Sequence, residues 1–306
     1  MKIAIIGGTG AMGGTLGAAF HEGGHAVTLV DVARAAVEKI NAHGLRITDK
    51  TGTTRTVGVP ATLDPASLGV QDAVLVFVKC YHTPAAIEGA RPLIGAETSV
   101  VSLQNGWGNA PRIAEMVGAD RVLAGVTYHS ATLLEPGHIK HSGVGKTFIG
   151  ELDGQMTPRL AALVAAFGDA GWDSEAVADV RTYIWKKLAL NVCTLPTAAL
   201  LRFSADELVK HDGTLAEMRA LLEETVAVAK AQSIALDFDE RWNAITTLLE
   251  KAVGARGSML QDVEARRKTE IEVINGAICA AGRKFALATP HNDAMVSLVR
   301  ALEETF

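Results

Sequence analysis

The sequence is poor in cysteine: Cys80, Cys193 and Cys279 are the only three in 306 residues. They stand far apart without CxxC spacing, which excludes a disulfide framework and fits a reducing, cytoplasmic compartment. Long apolar runs are also missing, since nothing approaches the about 20 residues that a membrane span requires. The short run from Ile3 to Ile6 follows a single lysine and is too brief for the core of a secretion signal. Positive charge is not in excess either. The net charge is −5, the isoelectric point is near 6.0, and no basic tract is present, which argues against nucleic acid or an anionic membrane as partner. No metal site is expected: His138 and His141 lie three apart in a predicted strand and so face opposite sides.

What is present is ordinary for a globular protein, with 48% hydrophobic and 21% charged residues. The length suggests two domains. In the first half, β-branched runs alternate with helical patterns. Strands are predicted at 2–6, 25–31, 73–79, 99–104 and 121–128, with crossover helices at 11–22 and 33–42. AVLVFV is apolar throughout, as expected of a strand buried on both faces of a parallel sheet. HIKHSG and KTFIGEL read as antiparallel strands closing the edge of that sheet, followed by a helix at 157–170 and a last strand near Ser174. Beyond about Val180 the pattern is helical. Leu215, Met218, Leu222, Val226 and Ala229 form one predicted buried stripe, and Trp242, Ile245, Leu249 and Val253 another. The expected organisation is a doubly wound α/β domain at 1–178 and an all-helical domain at 179–306, with a ligand cleft between them. The apolar helical faces would also suit a homodimer.

GGTGAMG holds Gly8-x-Gly10-x-x-Gly13 between a predicted strand and a predicted helix, the setting in which this motif signals a dinucleotide. One glycine permits the turn, one admits the pyrophosphate, and one lets helix and strand pack closely. Gly7 is an additional glycine, so the first position is either Gly7 or Gly8. Backbone N–H groups of Thr9, Ala11 and Met12 at the helix start complete the phosphate cradle. Asp31, eighteen positions after Gly13, ends the second strand, where a carboxylate accepts the ribose hydroxyls and repels a 2′-phosphate. That favours NAD, with NADP the second option because Arg34 follows closely. Gly143 to Thr147 imitates the end of a P-loop, but Lys140 occupies the position of its first glycine, so ATP binding is not expected.

Several polar residues sit where chemistry is expected. Lys79 closes FVK and Asn105 follows VVSLQ, both at carboxyl ends of predicted strands, where ligands of open α/β sheets bind. In YIWKKLALNVCTLP, Lys187 and Asn191 are four apart and share a helix face. A lysine in an apolar helix is costly to bury, and burial lowers its pKa toward that of a useful proton donor. Ser258 in GSMLQD is either a pocket hydroxyl or the start of a capping box with Gln261. Glu270 and Glu272 precede an apolar stripe in TEIEVINGA.

In order and spacing, the glycine loop, FVK, QNG, IWKKLALN, SMLQD and TEIEVINGA resemble the ketopantoate reductase (2-dehydropantoate 2-reductase) family across essentially the whole chain. The resemblance implies a Rossmann domain followed by a helical domain like that of 6-phosphogluconate dehydrogenase, with hydride transfer from NAD(P)H to a 2-keto acid. It implies Lys187 as general acid and Glu270 as positioner of substrate or lysine. Asn105, Asn191 and Ser258 become substrate ligands, and Lys79 lies near the nicotinamide and its ribose, to which Asn105 also belongs.

Three departures from the family pattern bear on the substrate. Asp31 stands where NADPH-using members carry a basic residue. Leu195 and Ala255 replace two pocket asparagines, which removes hydrogen bonds for a hydroxylated substrate and suits an apolar one. This resembles the NAD-dependent D-2-hydroxyacid dehydrogenase branch of the D-mandelate type. The alternatives are a true 2-dehydropantoate 2-reductase of pantothenate biosynthesis and, from another class, a non-catalytic NAD-binding regulatory protein.

Overall fold

The computed structural model describes all 306 residues, Met1–Phe306. In chain order the first elements are β1 (Lys2–Ile6), α1 (Ala11–Glu22), β2 (Ala26–Val30), α2 (Arg34–His43), β3 (Leu45–Thr48), β4 (Thr54–Val57) and β5 (Ala61–Thr62). Next come β6 (Ala73–Val76), α3 (Thr83–Gly89), β7 (Ser99–Ser102), α4 (Asn109–Val117), β8 (Val122–Thr127), β9 (Ser130–Glu135) and β10 (His138–Gly143). Then β11 (Thr147–Glu151), α5 (Pro158–Asp169) and β12 (Ser174–Ala176) precede a wholly helical remainder. That remainder comprises α6 (Val180–Leu201), α7 (Asp212–Ala231), α8 (Phe238–Lys251), α9 (Ser258–Glu264), α10 (Asn275–Lys284) and α11 (Pro290–Glu303).

The chain divides into two compact units, one of residues 1–104 with 109–180, the other of residues 105–108 with 181–306. In the first, an eight-stranded sheet runs β12-β11-β8-β7-β6-β1-β2-β5. The six strands from β5 to β8 are all parallel, as the apolar runs predict, and their order reverses between β1 and β6, as in a Rossmann fold. β11 adds antiparallel to β8.

The strand β10 corrects the sequence reading. It does not close the main sheet but belongs to a second sheet, β4-β3-β10-β9, pairing antiparallel with β9 and parallel with β3. The reason lies in α1, whose residues 13–20 are all buried. A helix apolar all round needs cover on both sides, and the small sheet supplies it: a Cβ at Gly14 would lie 2.5 Å from Ile139 Cδ1. The strands β3, β4, β5 and β9 escaped the sequence reading because they are short and partly polar, as in LRIT and TRTV.

In the second unit the predicted stripes hold at Met218, Leu222, Ala229, Ile245 and Leu249, which are all buried. The buried face of α7 runs through Thr214, Met218, Leu221, Leu222, Thr225, Val228 and Ala229, because two short polar side chains fit where bulkier Leu215 and Val226 stay partly exposed. α8 ends at Lys251, so Val253 lies beyond it and is exposed. The core of this unit centres on Trp185, Leu188, Val192, Met218, Leu222 and Ile271.

Candidate active site

At the end of β1, Gly7 takes a φ of +75°, the left-handed region that favours glycine. Gly8 is required for a different reason: a Cβ there would lie 2.7 Å from both Ile5 O and Leu29 Cβ. Gly13 brings α1 against the loop, since its Cβ would lie 2.5 Å from Gly7 O. Gly10 is the N-cap of α1 and gives it no side-chain cap, so the first-turn N–H groups, with those of Ala11 and Met12, face outward for an anion. The turn therefore uses Gly7 for its dihedral and Gly8 for its close approach, and this fits a pyrophosphate.

Asp31 lies just past β2 and accepts four hydrogen bonds. Its Oδ2 accepts from Thr9 N (3.0 Å) and Thr9 Oγ1 (2.7 Å), and its Oδ1 accepts from Val32 N (2.8 Å) and Ala33 N (3.2 Å). One carboxylate thus ties the glycine loop to the start of the α2 segment, and these four donors engage its about four acceptor sites, so a ribose hydroxyl would share or displace one of them. Arg34 is exposed and pairs with Glu38 at 3.6 Å.

Lys79 is not a strand residue. β6 stops at Val76, and Lys79 is the extended N-cap of a single 3₁₀ turn, Cys80–His82. Just beyond the strand, Phe77 and Val78 pass directly against Gly7, 3.0 Å from the position its Cβ would take. The glycine loop and the Lys79 segment therefore share the switch point of the sheet, where ligands of such sheets bind. The imitation P-loop joins two strands, and its Lys146 pairs with Glu175 at 2.7 Å.

In the second unit, the side chains gather around α6. Lys187 Nζ donates to Asn105 Oδ1 at 3.0 Å. Burial lowers the Lys187 pKa to about 8, and the Glu270 carboxylate opposes that fall. Glu270 itself is buried, 6% exposed. A lysine in this state is still mostly protonated at neutral pH yet gives up its proton readily. Asn191 is buried one turn further along α6. Glu272, by contrast, turns outward and makes a bidentate pair with Arg300 at 2.6 and 2.7 Å.

Ser258 is the first residue of α9, and the N-cap is Gly257, with no side-chain cap bond. The capping-box reading of Ser258 is thereby corrected: Gln261 Nε2 donates instead to Arg256 O at 2.9 Å. Leu195 of α6 lies against this loop, its Cδ2 2.9 Å from the position a Gly257 Cβ would take. Ala255 O accepts from Ala205 N at 2.8 Å.

Sequence reasoning gave Gly106 no role of its own. Its φ is +85° and a Cβ would lie 2.3 Å from Val273 O, while Trp107 N donates to the same oxygen at 2.8 Å. Glycine is thus what lets the loop carrying Asn105 reach the segment that follows Glu270. The QNG signal was visible, but its partner Val273 is far away in the chain.

Six parallel strands of this order with a glycine loop at their switch point, followed by a helical unit carrying a half-buried lysine and a buried glutamate, define a dinucleotide-type α/β oxidoreductase fold. The comparisons with known proteins place it more narrowly. The family profile described as "Ketopantoate reductase PanE/ApbA" matches residues 3–154, and that described as "Ketopantoate reductase PanE/ApbA C terminal" matches residues 179–303. The chain belongs to the ketopantoate reductase family, and it is an oxidoreductase. It is similar to the 2-dehydropantoate 2-reductase of Halobacterium salinarum, 32% identical over 299 residues covering 97% of each chain. The enzyme of the same name from Archaeoglobus fulgidus is 32% identical over 97% of this chain and 96% of its own. Among solved structures, D-mandelate dehydrogenase with NADH and anilino(oxo)acetate superposes with a TM-score of 0.92, at 28% identity over 99% and 98% of the two chains. A ketopantoate reductase from Ralstonia eutropha JMP134 does so with a TM-score of 0.91, at 32% identity over 100% and 99%.

Proposed function

We propose that the protein reduces an apolar 2-keto acid to the D-2-hydroxy acid with NADH as reductant. The single observation that carries this reading is the Lys187 ammonium held by Asn105 with the buried Glu270 carboxylate acting on it. In this reading residues 1–178 bind the dinucleotide and residues 179–306 supply the substrate and catalytic groups. Gly7, Gly8, Thr9, Gly10, Ala11, Met12 and Gly13 hold the pyrophosphate, Asp31 the adenosine ribose, and Lys79 with Asn105 the nicotinamide end. When bound, the reduced nicotinamide supplies the hydride.

Lys187 donates its proton to the substrate oxygen as negative charge develops there, stabilising and neutralising it in one step. Glu270 keeps that ammonium charged in its desolvated position. Asn105, Asn191 and Ser258 fix the carboxylate and carbonyl so that the reacting carbon is presented in one orientation. Leu195, lying over Gly257 beside Ser258, supplies an apolar wall where an amide would select a hydroxyl.

One feature of the chain supports NADH: the carboxylate of Asp31 opposes a 2′-phosphate. The likeness to D-mandelate dehydrogenase with NADH supports the same reading. A second reading, 2-dehydropantoate itself as substrate, is favoured by the names of the relatives at 32% identity. Steady-state rates for ketopantoate and for a bulky apolar 2-keto acid, each with NADH and NADPH, separate them. The proposal expects the highest kcat/KM for the apolar acid with NADH. Preference for ketopantoate would overturn the substrate, preference for NADPH the Asp31 argument, and binding of NADH without any turnover the enzyme reading as a whole.

A further inference from the structure

The helix α6 contains a proline, Pro196, in its interior. Proline has no N–H, so the carbonyl four residues earlier, that of Val192, loses its helical donor. Val192 is fully buried, and an unpaired carbonyl there would carry the full desolvation cost. The donor it finds is the side chain of Asn275, whose Nδ2 lies 3.2 Å from Val192 O. Asn275 is itself 0% exposed.

The orientation of this amide is fixed by its neighbours. Nδ2 also donates to Asn292 Oδ1 at 3.1 Å, and Asn292 Nδ2 in turn donates to Glu224 Oε2 at 2.7 Å. Asn275 Oδ1 has no partner, a desolvation cost that an apolar side chain would avoid. Relieving Val192 O is a stabilising role of this amide, but it does not by itself explain why the donor comes from this segment.

Its place in the chain suggests what does. Val192 directly follows Asn191 and lies little more than a turn beyond Lys187. Asn275 closes the segment that begins at Glu270, and within that segment Val273 O receives Trp107 N, which anchors the loop carrying Asn105. One side-chain bond thus joins the Lys187 helix to the segment that holds both of that lysine's partners.

We propose that Asn275 is a positioning residue: by donating to the carbonyl that Pro196 leaves bare, it fixes the Glu270 segment and the Asn105 loop against Lys187. This rests on the reading of Lys187 as general acid and Glu270 as its charge partner. Two roles of the bond are separable, since Asn275 both satisfies a carbonyl and ties two segments together. Pro196→Ala restores a backbone N–H that satisfies the carbonyl but restores no tie.

The test is a set of four purified proteins: wild type, Asn275→Ala, Pro196→Ala and the double variant. Each is measured for thermal midpoint and for the pH profile of kcat with a 2-keto acid that the wild type turns over. Asn275→Ala is expected to lower the thermal midpoint, to reduce kcat about tenfold or more, as loss of orientation does, and to move the alkaline limb to lower pH. In the double variant the thermal midpoint recovers toward that of Pro196→Ala, while kcat and the limb stay displaced. Recovery of kcat and limb together with stability would show that Asn275 only satisfies the carbonyl, and would overturn the proposal. So would a wild-type limb in either Asn275 variant. If Asn275→Ala fails to fold, the double variant against Pro196→Ala alone decides the matter. Lys187→Met serves as the separate control: full turnover there overturns the general-acid reading, whatever the Asn275 series shows.

Discussion

The glycine loop and the lysine cluster are built on opposite principles. The loop is largely local: Gly7, Gly8, Gly10 and Gly13 serve a single turn, and its hydrogen bonds reach no further along the chain than Val30 and Asp31. The lysine cluster is assembled from remote pieces, with Lys187 bonded to Asn105 across 82 residues and tied to the Glu270 segment by Asn275 across 83. A local motif fails when one backbone position is blocked. A remote cluster fails when any of several segments drifts, because its parts share no backbone constraint.

The sharpest way to break the second region without touching the first is Lys187→Met. Loss of a positioned general acid is expected to cost about 10²–10⁴ in kcat/KM, while NADH fluorescence titrations give the wild-type affinity. Loss of NADH binding in that variant would mean that the two regions do not separate as described. The converse experiment is Gly13→Val, whose side chain must displace the Gly7 carbonyl 2.5 Å away. Overpacking of this kind costs about 1–3 kcal/mol of stability, and NADH affinity is expected to fall with it. Titration and thermal melts report both, and an unchanged affinity would detach the loop from the dinucleotide.

A smaller effect sharpens the comparison on the lysine side. In the proposed mechanism reduction requires Lys187 protonated, and its pKa is lowered to about 8. The reduction rate should therefore hold below that pH and fall as pH rises through it, while oxidation of the hydroxy acid rises over the same range. Glu270 raises this pKa, so Glu270→Gln should move the limb to lower pH. A limb that moves upward, or not at all, would show that the carboxylate does not act on the lysine.

How much could be read in advance follows the same division between local and remote. β1, α1 and β10 were legible in the sequence because apolar runs and the helical repeat are properties of adjacent residues. The partner of β10 was not legible, since HIKHSG carries no mark of whether it joins the main sheet or the small one. The face shared by Lys187 and Asn191 followed from a spacing of four. That Glu270 turns inward while Glu272 pairs with Arg300 did not follow, because the two glutamates stand in nearly the same sequence surroundings. The missing capping box at Ser258 is a similar case: the pattern fits, but Gly257 takes the cap position.

By itself, then, the sequence determined the main parallel strands and the helical second half, the glycine turn and the chemical types available. Each of these depends on backbone preference and on periodicity over a few residues. Only the tertiary structure decided which groups meet: Asp31 with Thr9, Asn105 with Lys187, Val273 with Trp107, and Asn275 with the carbonyl that Pro196 lays bare. Those pairings depend on burial, which removes water as the competing partner and leaves each polar group only the neighbours that packing provides.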